Sequence, residues 1–113
     1  MNTLAQQHCI HWNTGVNNVS GQRLLELHRL VPDWHIIACD QGTTLRRIFH
    51  FSSFSEALAF AGRVGRLAQD EGYFPELVVG WGKVQVSWGT PRLKGLYVND
   101  FIQAAKTDAL CLR

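Results

Sequence analysis

Ser53-Phe54-Ser55-Glu56 separates two kinds of apolar periodicity in this chain, and any fold must satisfy both. A serine followed three residues later by glutamate caps a helix start by satisfying its unpaired N–H groups. The residues beyond it recur at helical spacing to about Gly72. Phe60, Val64 and Leu67 make one stripe, beside a second of Phe54, Leu58, Ala61, Gly65 and Ala68. Together they are wide enough to face both a sheet and another surface. Arg63, Arg66 and Asp70 mark the solvated side.

Strand-like alternation lies on both sides of this helix. Residues 34–39 are β-rich, Asp40-Gln41-Gly42-Thr43 supplies turn chemistry, and residues 44–51 alternate Leu45, Arg47, Phe49 and Phe51 against Arg46, Ile48 and His50. That pattern predicts a hairpin. After Pro75, residues 77–88 alternate again and carry Val78, Val79, Trp81, Val84, Val86 and Trp88. They read as one long strand or as two short ones broken at Gly80 or Gly82. A first helix runs from Ser20 through Leu24, Leu27 and Leu30 until Pro32 stops it. A last helix opens at Val98 or Asn99 and continues through Phe101, Ile102, Ala104, Ala105 and Leu110. The order helix, strand, strand, helix, strand, strand, helix predicts an α+β fold, a four-stranded antiparallel sheet with three helices packed on one face.

A chain of 113 residues, 46% hydrophobic, fits one domain. Residues 1–17 are polar and interrupted by Asn13, Gly15 and Asn17, so they are expected to be a flexible tail outside the core, with residues 18–113 forming the domain. No apolar run approaches the roughly 20 residues that cross a bilayer. The first residues lack the basic and apolar regions of a secretory signal, so a cytoplasmic protein is expected. Cys9, Cys39 and Cys111 are widely spaced and odd in number, which argues against a disulfide framework or zinc cluster. A net charge of +2 is too dilute to imply nucleic-acid binding. No metal or cofactor is called for.

One stretch carries the layout of a reaction site. Tyr73-Phe74-Pro75-Glu76 is followed by Trp81, by Trp88-Gly89-Thr90-Pro91, and by Gly95-Leu96 with Asp100. At those spacings it resembles the pterin-4a-carbinolamine dehydratases, whose signature is His-His-Pro-Glu, an aromatic residue on a strand, Thr-His, Gly-Leu-Thr and an Asp. The resemblance covers roughly residues 20–110, with Leu30-Val31-Pro32-Asp33-Trp34 and the block from Arg47 to Ala57 matching positions that carry fold rather than chemistry. Tyr97 stands where the family has the Thr that caps the last helix, and Asn99 is expected to take over that role.

The three histidine positions of the motif are here Tyr73, Phe74 and Pro91. In the family those imidazoles move protons as water leaves a hydroxylated tetrahydropterin, a task suited to a pKa of about 6.5. Phenylalanine and proline carry no exchangeable side-chain proton, and a tyrosine, with a pKa of about 10, stays protonated at neutral pH. His28, His35 and His50 lie on the first helix and hairpin, away from the motif.

Two readings follow. In one, the chain is a catalytically inactive scaffold whose relic pocket, or sheet face, holds another polypeptide. It is similar to the degenerate branch of pterin dehydratase-like RuBisCO assembly factors of α-carboxysome bacteria, which implies RuBisCO subunits as partners and a carboxysome association. In the other, it is a dehydratase or pterin binder of altered chemistry. The first takes Tyr73, Phe74, Pro75, Glu76, Trp81, Trp88, Pro91 and Asp100 as the relic pocket and partner-binding residues; the second uses Tyr73, Asp100 and Glu76 as replacement groups around the old cleft. The broad helix 53–72 and the Val- and Trp-rich strands also lead to an expected homodimer.

Overall fold

The computed structural model describes residues 4–9, 19–39, 42–89 and 95–111. Its elements are α1 (Gly21–Leu30), β1 (His35–Cys39), β2 (Gly42–His50), α2 (Phe54–Glu71), β3 (Glu76–Gly80), β4 (Lys83–Trp88) and α3 (Val98–Cys111). The four strands form one antiparallel sheet in the order β1-β2-β4-β3, so β1 and β3 are its edges. The α+β architecture predicted from the alternation of periods is the one observed.

Alternation along the strands decides which face is covered. Leu45 and Phe49 on β2 and Val84, Val86 and Trp88 on β4 are all buried beneath the helices. Arg46, Ile48, Gln85 and Val78 take the opposite phase and line the helix-free face. From α2 the residues Ala57, Phe60, Ala61, Val64 and Ala68 enter the core, while Phe54 and Leu58 stay exposed. Phe49 packs its ring 4.8 Å from that of Phe60 and edge-on to Trp34 at 5.9 Å.

The serine half of the capping box forms at the predicted place. Ser53 Oγ accepts the Glu56 N–H at 3.1 Å, and the Glu56 carboxylate takes the Ser52 and Ser53 hydroxyls. At the other end Gly72 adopts φ 69°, a left-handed conformation that costs glycine little, and its N–H closes on the Ala68 carbonyl. Residues 77–88 divide into two strands, with a reversal at Trp81-Gly82. Gly82 has φ 72°, and a Cβ there would lie 3.1 Å from the Phe51 carbonyl oxygen.

Residues 4–9 differ from the tail expected of them. Leu4 begins a 3-10 turn, Leu4–Gln6, that packs on α3 and buries the leucine in the core. The polar composition hid this because one leucine is enough to seat the segment; carboxylate and ammonium groups do the rest. Glu71 accepts the Cys9 N–H at 2.8 Å and pairs with His8 at 3.0 Å, and Lys106 donates to the Ala5 carbonyl at 2.8 Å. Residues 10–17 of the expected tail lie outside the described residues.

Candidate functional site

Gly72 turns the chain at the end of α2, and strand-like alternation beyond it sends Tyr73 inward and Phe74 outward. The Tyr73 hydroxyl donates to Asp100 Oδ1 at 2.7 Å, with both residues buried. Its ring stacks on Trp88, centroids 6.3 Å apart and planes 17° from parallel. Trp88 donates its indole N–H to Thr107 Oγ at 3.2 Å, and Gln103 donates to the Tyr73 carbonyl at 3.3 Å. Tyr73, Trp88 and Asp100, which are 27 residues apart at most in sequence, thus meet in one buried cluster against α3.

Asp100 has two tasks. As the third residue of α3 its second oxygen accepts the Tyr97 N–H at 2.9 Å, so Asp100 contributes to the start of the helix, a role the sequence assigned to Asn99. Burial raises its pKa to about 6, against the hydrogen bonds from Tyr73 and Tyr97, which pull it down. Burial also raises the pKa of Tyr97. The Tyr97 hydroxyl and Gln103 Oε1 are both buried without a protein partner among the described residues.

The other motif residues lie elsewhere. Phe74 is 65% exposed, Trp81 at the β3-β4 turn is 77% exposed, and Glu76 is exposed on edge strand β3. Pro75 and Phe74 border a groove between α2 and β3, together with Gly62, Gly65, Ala68 and Leu77. Pro91 lies outside the described residues. The motif is therefore divided between a buried polar cluster and an exposed aromatic rim. Among the described residues no three His, Cys, Asp or Glu side chains are placed to hold a metal ion, and no helix is long and apolar enough to cross a membrane.

Gln103 and Thr107 were missed as site residues. A signal for them exists: Asn99 or Asp100, Gln103 and Thr107 recur at helical spacing among the apolar residues of the last helix, and polar side chains on a buried stripe must find partners.

With this geometry in hand, comparison with known proteins is informative. The family model for pterin 4 alpha carbinolamine dehydratase matches residues 16–110. A relative from Syntrophotalea carbinolica, named a putative pterin-4-alpha-carbinolamine dehydratase, is 42% identical over 110 residues, covering 97% of this chain and 98% of its own. Among solved structures, a transcriptional coactivator/pterin dehydratase from Brucella melitensis shares the fold with TM-score 0.73 at 24% identity, over 83% of this chain and 98% of that one. A pterin dehydratase-like protein identified as a RuBisCO assembly factor in the alpha-carboxysome shares it with TM-score 0.59 at 23% identity, over 69% of this chain and 88% of that one. Fold, motif spacing and family match agree, and the chain belongs to the pterin 4 alpha carbinolamine dehydratase family.

Proposed function

We propose that this chain is a non-catalytic member of its family that binds RuBisCO subunits during assembly, in the cytoplasm and in association with carboxysomes. The observation that carries the reading is the Tyr73 hydroxyl hydrogen-bonded to Asp100 at 2.7 Å inside the protein. A proton carrier must reach its substrate, and this hydroxyl is stacked under Trp88 and bound to a helix cap. Phe74 adds no proton carrier to the rim. General acid–base catalysis is worth about 10² to 10⁴-fold, and a site without it gives up most of that rate. What the motif presents outward is aromatic surface, Phe74 and Trp81, of the kind that anchors protein contacts. The RuBisCO assembly factor among the structural neighbours supplies the partner class.

A second reading has its own support. The relative that is 42% identical carries a dehydratase name, and Asp100, with its pKa raised to about 6, is a group able to exchange protons near neutrality. Here Tyr73 and Asp100 act as a replacement acid pair on a pterin.

Coexpression of RuBisCO subunits with and without this protein, scored as assembled holoenzyme on a native gel, separates the two. A gain in yield that Trp81→Ala and Phe74→Ala abolish is the expected outcome. An unchanged yield, together with calorimetric binding of a reduced pterin that Asp100→Asn removes, would favour the second reading.

A further inference from the structure

We propose that residues 4–9 are a lid, a strap that lifts from α3 while the sheet stays folded and so uncovers the Tyr97 hydroxyl and Gln103 Oε1. The inference holds whichever of the two functional readings is right.

The course of the segment follows from its contacts. Lys106, in the second half of α3, donates to the Ala5 carbonyl at 2.8 Å. Four residues on, Cys9 stands at the opposite end of the helix, with Asp100 among the charges that act on its thiol. Burial, and then Cys9 itself, raise the pKa of Tyr97. The strap therefore runs antiparallel to α3, from Lys106 toward Tyr97. Asp100, Gln103 and Lys106 follow one another at three-residue steps along one side of the helix, so Gln103 lies between the two contacts and beneath the strap.

What holds the strap is mostly polar. Of residues 4–9 only Leu4 is buried. The latch is Glu71 at the end of α2, which accepts the Cys9 N–H at 2.8 Å, meets His8 at 3.0 Å and has Lys106 Nζ at 4.0 Å. A segment with so few apolar contacts opens ahead of the rest of a fold. What lies beneath it opposes closure. Tyr97 and Gln103 are buried, yet the Tyr97 hydroxyl and Gln103 Oε1 have no protein partner among the described residues. Gln103 gives its amide N–H to the Tyr73 carbonyl, so turning the amide over would only set two oxygens against each other. Seating the strap strips water from both atoms and returns no bond, and lifting it restores their hydration. The seam is thus latched from outside and unfavourable within, which is how a lid differs from a core contact. Lifting presents an amide oxygen and a phenol to solvent, or to a ligand that carries N–H donors. Tyr73 stays behind in the core, stacked on Trp88 with its hydroxyl bound to Asp100.

The chain has two tyrosines, Tyr73 and Tyr97, so one reports on the seam and the other on the core. N-acetylimidazole acylates exposed phenols, and mass spectrometry of the digested full-length protein locates the label. Both tyrosines of the wild type should react slowly. Glu71→Gln, which removes the charge shared by Cys9, His8 and Lys106, should speed acylation of Tyr97 about tenfold and leave Tyr73 unchanged. Lys106→Met, which keeps the apolar stem and loses the donor to Ala5, should act in the same direction. Hydrogen exchange should show the β2 and β4 amides still protected in both variants. A rise at Tyr97 in either variant with Tyr73 unchanged supports the lid. A Tyr97 that reacts freely in the wild type, or whose rate neither variant changes, overturns it, because the strap is then not what covers the hydroxyl. So does a rise at Tyr73 together with Tyr97, which would make the segment part of the global fold.

Discussion

Asp100 receives hydrogen bonds from the Tyr73 hydroxyl and the Tyr97 amide, yet burial still lifts its pKa to about 6. Its folded pKa therefore stands above the value of about 3.9 expected of an unfolded aspartate. Its contribution to stability is fully present below about pH 4 and is lost as pH rises through about 6. The Tyr73 bond limits that loss because it favours the ionised form. Tyr73→Phe should accordingly destabilise by about 1–3 kcal/mol at pH 8 and by distinctly less at pH 5, measured by urea unfolding at the two pH values. An equal loss at both would mean that Asp100 does not titrate in this range. The motif spacing made Tyr73 and Asp100 recognisable as a pair of positions, but whether the pair lay open or closed was not legible. The alternation that runs on into β3 separates Tyr73 from Phe74, but which of the two faces inward is fixed by the Gly72 turn.

Elements were read more reliably than their partners. The capping box, Gly72 and Pro32 each act through local backbone chemistry, so α1, α2 and the first hairpin fall where their residues put them. Residues 4–9 escaped because what holds them, Glu71 and Lys106, lies more than 60 residues away in the chain. Burial works to raise the Glu71 pKa, but the Cys9 N–H, His8 and the charge of Lys106 outweigh it and hold the carboxyl below its usual range. Beside it the Cys9 thiol, through burial and then the Glu71 charge, is pushed up to about 12 and stays protonated. The sign for Glu71 is opposite to that for Asp100: its stabilisation is present above the unfolded carboxylate pKa and is lost as pH falls through the folded one. Glu71→Gln should speed exchange of the Cys9 amide by about tenfold at neutral pH while the amides of β2 and β4 keep their protection. Acid should likewise lower the protection of the wild-type Cys9 amide, once its exchange is scaled to the intrinsic rate of an open amide at that pH. Exchange that rises across the whole sheet would instead make the segment part of the global fold.

At the scale of the molecule, a covered face and an uncovered one divide the tryptophans between two duties. Trp88 is wholly buried and Trp81 is 77% exposed. Trp88→Ala should cost about 3–5 kcal/mol, and Trp81→Ala should stay within about 0.5 kcal/mol, both by chemical denaturation. A large stability loss at Trp81 would make it a packing residue and remove it from the list of partner anchors. The buried bond between Tyr73 and Asp100 also limits what residue 73 can be. An imidazole at position 73 is shorter than the phenol whose hydroxyl now reaches the enclosed carboxylate, so a histidine site begun there must bring its ring N–H to Asp100 or leave that oxygen without its donor. Two further replacements, at Phe74 and Pro91, would still be needed. The bond thus ties the choice of residue 73 to the start of the last helix, where the same carboxylate holds the Tyr97 amide.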